Sequence, residues 1–482
     1  MIDLTPVVSI LGRLIFTLGA LMFLPAGLDL AIGNGNAAGF ATAAITTTAT
    51  GAAISLATRG AIRQAFDLRS AFLLTFGIWI LTPLVGALPL MTGAPSLGFT
   101  DAYFEAVSGI TTTGSTVIFG LSDLPEGTNL WRGMLNWLGG LGIAFIAMIF
   151  LPVMRVGGMQ FFKTEGFDTM GKILPRASDI AISLLWIYAG LTALCMLVYR
   201  MIGMAPLDAV VHALATIATG GFSPQDASFN VYAGIGEYAG AFFMVIAAIP
   251  YVRYVQLVSG RGGALWHDAQ VRFYLATMAT GVMVLTVWRW LTSADPVEPV
   301  FRETLFNVAS VMTGTGFFSG GYTSWGGFLL VVTFLLGLLG GCSGSSSGAL
   351  TIFRVQVAIS AVRAEMRKIV MPHRVEPVRY AGRTVEDEAL NGVMMFVTTY
   401  VLLIGVLSVA LALTGIDLQT SIFAIWSSMG NIGYGIGPAI AETGTYRDFP
   451  TAAKWVMILA MILGRLSLLA VFVVILPRFW RA

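Results

Sequence analysis

The run SGITTTGSTVI, Ser108 to Ile118, puts four threonines, two serines and two glycines between apolar stretches long enough to cross a bilayer. Oxygens at that density can replace the hydration shell of a monovalent cation, and glycine removes the side chain that would block a backbone carbonyl. Hydrocarbon cannot satisfy the N–H and C=O groups of irregular backbone, so such a run must line a pore, form a binding site or pack as a kink within protein. Its central residues are Thr111, Thr112, Thr113 and Gly114. Three more runs share the pattern of a short segment ending in glycine: ATGGFS with Thr219, Gly220 and Gly221, TGTGF with Thr315 and Gly316, and GNIGYGIGP with Asn431, Ile432 and Gly433. The glycines at 114, 221, 316 and 433 are separated by 107, 95 and 117 residues, which predicts four similar units around one axis.

Two other places carry candidate chemistry. In GLLGGCSGSSSGALTIF, 337 to 353, an apolar stretch is interrupted by Gly340, Gly341, Cys342, Ser343, Gly344, Ser345, Ser346, Ser347 and Gly348. Glycine costs a helix up to about 1 kcal/mol per residue, so this segment is expected to be irregular. At membrane depth it should line a cavity, with a packed kink as the alternative. It is not a phosphate loop, because no Gly-Lys-Ser/Thr follows. Arg465 falls inside the last apolar run, LAMILGRLSLLAVF, where a guanidinium is costly unless it is paired, faces water or glues helices together. Asn431 is placed to bond Thr or Ser hydroxyls across units, or only to support its own turn.

Enzyme chemistry finds little purchase. His212, His267 and His373 are far apart without metal-ligand spacing, and there is no HExxH pair. GNGNAAG at 33 to 39 joins two apolar runs rather than a strand and a helix, so it is not a dinucleotide fingerprint. Cys195 and Cys342 fall in different apolar segments, which argues against a disulfide framework.

The elements that must position these residues follow from composition. Of 482 residues, 56% are hydrophobic and 11% charged, and mean hydropathy is +0.82, which describes an all-α polytopic membrane protein. Apolar runs fall at about 7–31, 36–58, 70–92, 130–154, 179–203, 231–258, 271–292, 325–362, 391–414 and 450–477. The first is longer than a signal-peptide core and is followed at once by a second span, so it reads as an uncleaved helix. Between later runs lie segments of about a dozen residues, which at ~1.5 Å per residue reach only halfway across. The expected organisation is a hairpin at 1–60, then units at 61–177, 178–262, 263–385 (with a broken second helix) and 386–482.

Basic residues cluster on one side of this layout, in the connections holding Arg59 to Arg69, Arg155 to Arg176, Arg253 to Arg272 and Arg363 to Arg383. The positive-inside rule makes that side cytoplasmic, together with the N-terminus. The half-spans then enter from outside, near Asp101, Glu105, Asp208, Asp226, Glu298, Glu303 and Asp417, an acidic mouth that would concentrate cations. Each half-helix aims its partially negative C-terminal end at the membrane centre, and four on one axis favour a cation there. On this reading SGITTTGSTVI is one quarter of a selectivity filter. A secondary transporter with broken helices is the nearer rival and a membrane-embedded enzyme the remoter one. Repeats running in the same direction favour the channel-like pore.

These motifs carry a resemblance. TTTGST at 111–116, ATGGFS, TGTGF, GNIGYGIGP, GGCSGSSSG, GMQFF at 158–162 and GRLSLL at 464–469 are similar to the TrkH branch of the Trk/Ktr/HKT potassium uptake superfamily, over nearly the whole chain. The resemblance implies a pore within one chain, with Gly114, Gly221, Gly316 and Gly433 as filter glycines and potassium, and rubidium beside it, as the ion carried. It implies that residues 340–348 form a loop obstructing conduction and that Arg465 is an electrostatic barrier below the filter. It also implies a homodimer in the bacterial inner membrane, surrounded by lipid, with a TrkA-type nucleotide-binding ring as cytoplasmic partner. No cofactor in this chain and no nucleic-acid partner are expected. Basic stretches at 155–176 and 363–383 would dock the ring. Ala349, Thr351 and Ser467 stand where the branch commonly has glycine, lysine and an acid.

Overall fold

The computed structural model describes residues 4–59, 68–145, 177–260, 262–322, 325–373, 376–441, 443–465 and 473–481. GMQFF, the basic stretch 155–176, the end of the 130–154 run, Ser467 and most of GRLSLL lie outside those residues. Among them, six helices are long and apolar enough to cross a membrane, or seven if one bent pair counts as a span.

The N-terminal hairpin pairs α1 (Thr5–Ile32) with α2 (Ala37–Ala57). Small residues let the two backbones approach, since lipid supplies no hydrophobic drive between helices. A β-carbon on Gly19 would fall 2.5 Å from the Thr48 nitrogen. Asp29, fully buried at the hairpin's end, accepts from Gly127 N–H (2.7 Å) and from Asn34 and Asn36 Nδ2 (2.7 Å each). It therefore pins the hairpin to the start of a later helix.

One pattern then recurs four times: a long helix, a short buried helix, an irregular glycine-containing turn and a second long element. The first unit has α3 (Leu68–Gly86), a single-turn α4 (Leu88–Thr92), the short α5 (Phe99–Ile110) and α6 (Glu126–Phe145). The second has α7 (Ala177–Met201), the short α8 (Pro206–Ile217), α9 (Ile235–Ala247) and α10 (Tyr251–Val258). After a four-residue helix α11 (Gly263–Trp266), the third has α12 (Ala269–Thr292), the short α13 (Val297–Thr313), α14 (Gly327–Leu339) and α15 (Ile352–Val370). A two-residue hairpin, β1 (Arg379–Tyr380) with β2 (Arg383–Thr384), packs on α15. The fourth has α16 (Asp387–Ala412), the short α17 (Leu418–Gly430) and α18 (Thr451–Arg465), with α19 (Pro477–Arg481) beyond.

The short helices start where their sequences cap them. Pro206 opens α8, and the Asp417 carboxylate accepts from Thr420 N–H (2.9 Å) at the start of α17. Asp101, Asp208 and Glu298 sit in first turns, where they complement the helix dipole. Side chains of the hairpin, first and fourth units merge into one large apolar core, and those of the second and third into another.

The break expected at 337–353 is present, between α14 and α15. The run 231–258, expected as one span, is also broken: α9 and α10 meet at 90°. Pro250 has no N–H to continue the helix, and the Ile246 carbonyl accepts the Tyr254 hydroxyl (2.6 Å) instead.

Candidate functional site

The four short helices end alike. Thr112, Thr219, Gly314 and Asn431 have φ of 50°, 49°, 74° and 52°. In each unit that residue's N–H bonds three residues back, and the next N–H bonds five back: Thr113 to Ser108 O, Gly220 to Ala215 O, Thr315 to Ser310 O and Ile432 to Ser427 O, at 2.8–2.9 Å. This is a Schellman ending, in which the left-handed residue turns the chain out of the helix. Two of the four left-handed residues are threonines, a costly choice for a β-branched side chain. Two residues on, Gly114, Gly221, Gly316 and Gly433 have φ of 86°, 70°, 84° and 92°.

These glycines form a closed ring. A β-carbon on Gly114 would fall 2.5 Å from the carbonyl oxygen of Gly220. One on Gly221 would meet the oxygen of Thr315, one on Gly316 that of Ile432, and one on Gly433 that of Thr113, all closer still. Each unit thus faces the next, and the fourth returns to the first. The ring opens on one side into a cavity of about 520 Å³, which all four glycines line together with Phe222, Phe318 and Tyr434.

The hydroxyls are held from behind. Thr111 donates to Val107 O (2.7 Å), and its oxygen lies 2.7 Å from that of Thr113. Thr313 and Thr315 repeat that 2.7 Å pair in the third unit. Asn431 Nδ2 donates to Thr113 Oγ1 (2.9 Å) and Met461 O (3.1 Å), the cross-unit bond expected of it. Thr219 donates to Ala218 O (2.8 Å).

On the other side of the ring, residues 340–348 and Arg465 cover the helix ends. Arg465 donates from Nε to Thr111 O (2.5 Å), from Nη1 to Ser346 O (3.0 Å) and from Nη2 to the Thr112 hydroxyl. These acceptors are all neutral oxygens. The Ser347 hydroxyl donates to Thr313 O (2.7 Å) and accepts from Gly341 N–H (2.9 Å). Gly348 lies so near the last carbonyl of α17 that a β-carbon would come within 2.6 Å of Gly430 O. Within the loop, Ser345 donates to Cys342 O (2.6 Å), and the hydroxyls of Ser343 and Thr351 are 2.7 Å apart. Gly340 and Gly344 have positive φ, as do Ala349 (63°) and Thr351 (68°). Both cysteines are buried and free.

Several acids of the mouth expected from the sequence have partners. Glu105 is fully buried and paired with Arg132 (2.8 Å), Asp101 with Lys454 (2.6 Å) and Glu303 with Arg289 (2.8 Å). Asp226 accepts from the N–H groups of Gly120 and Leu121 (3.0 Å each). Acids so close to low-dielectric protein need such partners.

Sequence reasoning missed the second layer. Glu105 accepts from Val117 N–H (3.0 Å) and the Thr116 hydroxyl (2.9 Å), His212 Nε2 lies 3.1 Å from Ser223 Oγ, and Asn307 Nδ2 donates to Ser319 O (2.8 Å). Each ties a short helix to the segment that leaves the ring. The three are spaced by 107 and 95 residues, as the glycines are, and that offset is the signal that would have found them.

The chain matches the family model described as "TrkH: Cation transport protein" over residues 37–481. It is 40% identical over 412 residues to the Trk system potassium uptake protein TrkI of Halomonas elongata, covering 85% of this chain and 84% of that one. It is 32% identical over 484 residues to the Trk system potassium uptake protein TrkH of Salmonella typhimurium, covering 98% and 99%. The crystal structure of the potassium transporter TrkH from Vibrio parahaemolyticus superposes over 100% of both chains with a TM-score of 0.91 at 29% identity. With the closed ring of helix ends and these matches together, the chain belongs to the TrkH family of cation transport proteins and is a membrane transporter rather than an enzyme.

Proposed function

We propose that this chain takes up potassium, and rubidium with it, across the bacterial inner membrane through a gated pore. The ring of Gly114, Gly221, Gly316 and Gly433, each facing the carbonyl before the next unit's glycine, is the observation that carries this reading. Residues 111–114, 219–221, 315–316 and 431–433 serve as the filter, whose carbonyls replace water around a dehydrated cation. One such glycine per unit leaves fewer oxygen rings than a tetrameric potassium channel, so discrimination among alkali cations is weaker. The ends of α5, α8, α13 and α17 add partial negative charge at the same point.

Residues 340–348 and Arg465 form the gate. Together they meet carbonyls at the ends of α5, α13 and α17, where a passing ion would need to go. Arg465 places a positive charge directly against oxygens that would otherwise receive the cation. The units fall at 61–177, 178–262, 263–385 and 386–482, with the N-terminus cytoplasmic and two chains forming a homodimer. A TrkA-type nucleotide-binding ring on the cytoplasmic face, near the exposed Arg363, Arg367 and Lys368 of α15, would regulate the gate.

The test is radioactive rubidium uptake into potassium-loaded liposomes carrying purified protein. Concentrative uptake driven by membrane potential, blocked by barium and weakly by sodium, is expected. Uptake requiring a sodium or proton gradient would favour a coupled secondary transporter instead.

A further inference from the structure

Three of the four short-helix ends are covered by the loop or by Arg465, and the fourth, α8, is met by a residue outside both. Tyr251, the first residue of α10, is 1% exposed, and its hydroxyl donates to Ile217 O (3.2 Å), the last carbonyl of α8. The same hydroxyl accepts from Ser346 Oγ (2.8 Å). Ser346 in turn offers its carbonyl to Arg465 Nη1 (3.0 Å). Backbone bonds reinforce the seat: Tyr251 N–H donates to Gly344 O (3.0 Å), and Cys342 N–H to Ala248 O (3.0 Å). The 90° break between α9 and α10 is what delivers Tyr251 there.

We propose that Tyr251 is the latch of the intramembrane loop, a positioning residue that holds residues 342–346 against the end of α8 and, through Ser346, holds Arg465 in place. The inference rests on the gate reading above. It extends that gate to the second unit and names the broken helix as its handle. The far side of α10 is anchored by Arg253, whose Nε donates to Asp268 (2.5 Å), and Gln270 beyond Asp268 accepts the N–H of Ser343 (3.0 Å). A movement of α10 at the cytoplasmic face therefore reaches the loop from two sides.

Tyr251→Phe keeps the ring, packed edge-on to Tyr188 at 5.7 Å, and removes both hydroxyl bonds. Rubidium flux would be measured in liposomes holding this variant, Ser346→Ala, the double variant and a chain lacking residues 343–347, each checked for a monodisperse gel-filtration peak. Each single change should raise flux about fivefold, the shift expected from losing the Tyr251–Ser346 hydrogen bond that both remove. The double should exceed neither single, because each alone already breaks the Tyr251–Ser346 link that ties the loop to α8. The rubidium-to-sodium ratio should stay that of the unaltered chain, which a general loosening of the pore would change. Unaltered flux in Tyr251→Phe beside a conducting loop deletion would overturn the latch and leave the gate reading standing. A loop deletion that conducts no better than the unaltered chain would overturn both.

Discussion

At Gly221 two requirements meet, a φ of 70° and the Thr315 oxygen where a β-carbon would go. Gly221→Ala is therefore expected to widen the ring and lower the rubidium-to-sodium flux ratio at least about tenfold, a loss comparable to ~1.4 kcal/mol of ion discrimination. Gly190→Ala, where nothing lies within 4 Å, is the control and should leave the ratio unchanged. Glu105→Gln leaves the Arg132 guanidinium buried without its counter-charge, and a loss of about 3 kcal/mol is expected. Thermal unfolding in detergent would show it as a lower midpoint, and an unshifted midpoint would show that the pair is not holding residues 116–117. Much of the ring was legible in the sequence, because a left-handed turn against a neighbouring backbone leaves glycine as the residue that fits. The left-handed Thr112 and Thr219 were not legible, since β-branched side chains disfavour that conformation and only the surrounding bonds impose it. Tyr251 gave no signal, because an aromatic in an apolar run reads as packing.

At the scale of elements, the short helices and the glycine-serine loop were readable from length and from composition. The second break, at Pro250, was not read because apolar residues continue on both sides of it from 231 to 258 and mask it. The loop keeps its shape through side-chain hydroxyls, and Ala349 and Thr351 hold left-handed backbone that costs about 1–3 kcal/mol each. Its position is consequently only as firm as those bonds. Ser347→Ala removes the donor to Thr313 O and the acceptor for Gly341 N–H together, and should raise rubidium flux about tenfold in the isolated protein. A flux at the unaltered level would mean that the loop stays in place without its tie to α13. Burial of Glu105 could not be read from sequence either, since an acid near a predicted outer mouth looks solvated until its partner, Arg132, is placed beside it.

At the scale of the whole molecule, the ends of four short helices enclose one ring, with a cavity of about 520 Å³ on one side and a loop with an arginine on the other. On the reading proposed above, such a body conducts downhill without a coupled ion. The most direct check is the reversal potential across a planar bilayer holding the loop-shortened chain, with potassium on one side and sodium on the other. A potential that follows the potassium gradient, and that collapses toward zero in Gly221→Ala, is the predicted result. A potential that follows the sodium gradient, or that is the same in both chains, would contradict a selective ring at these four glycines.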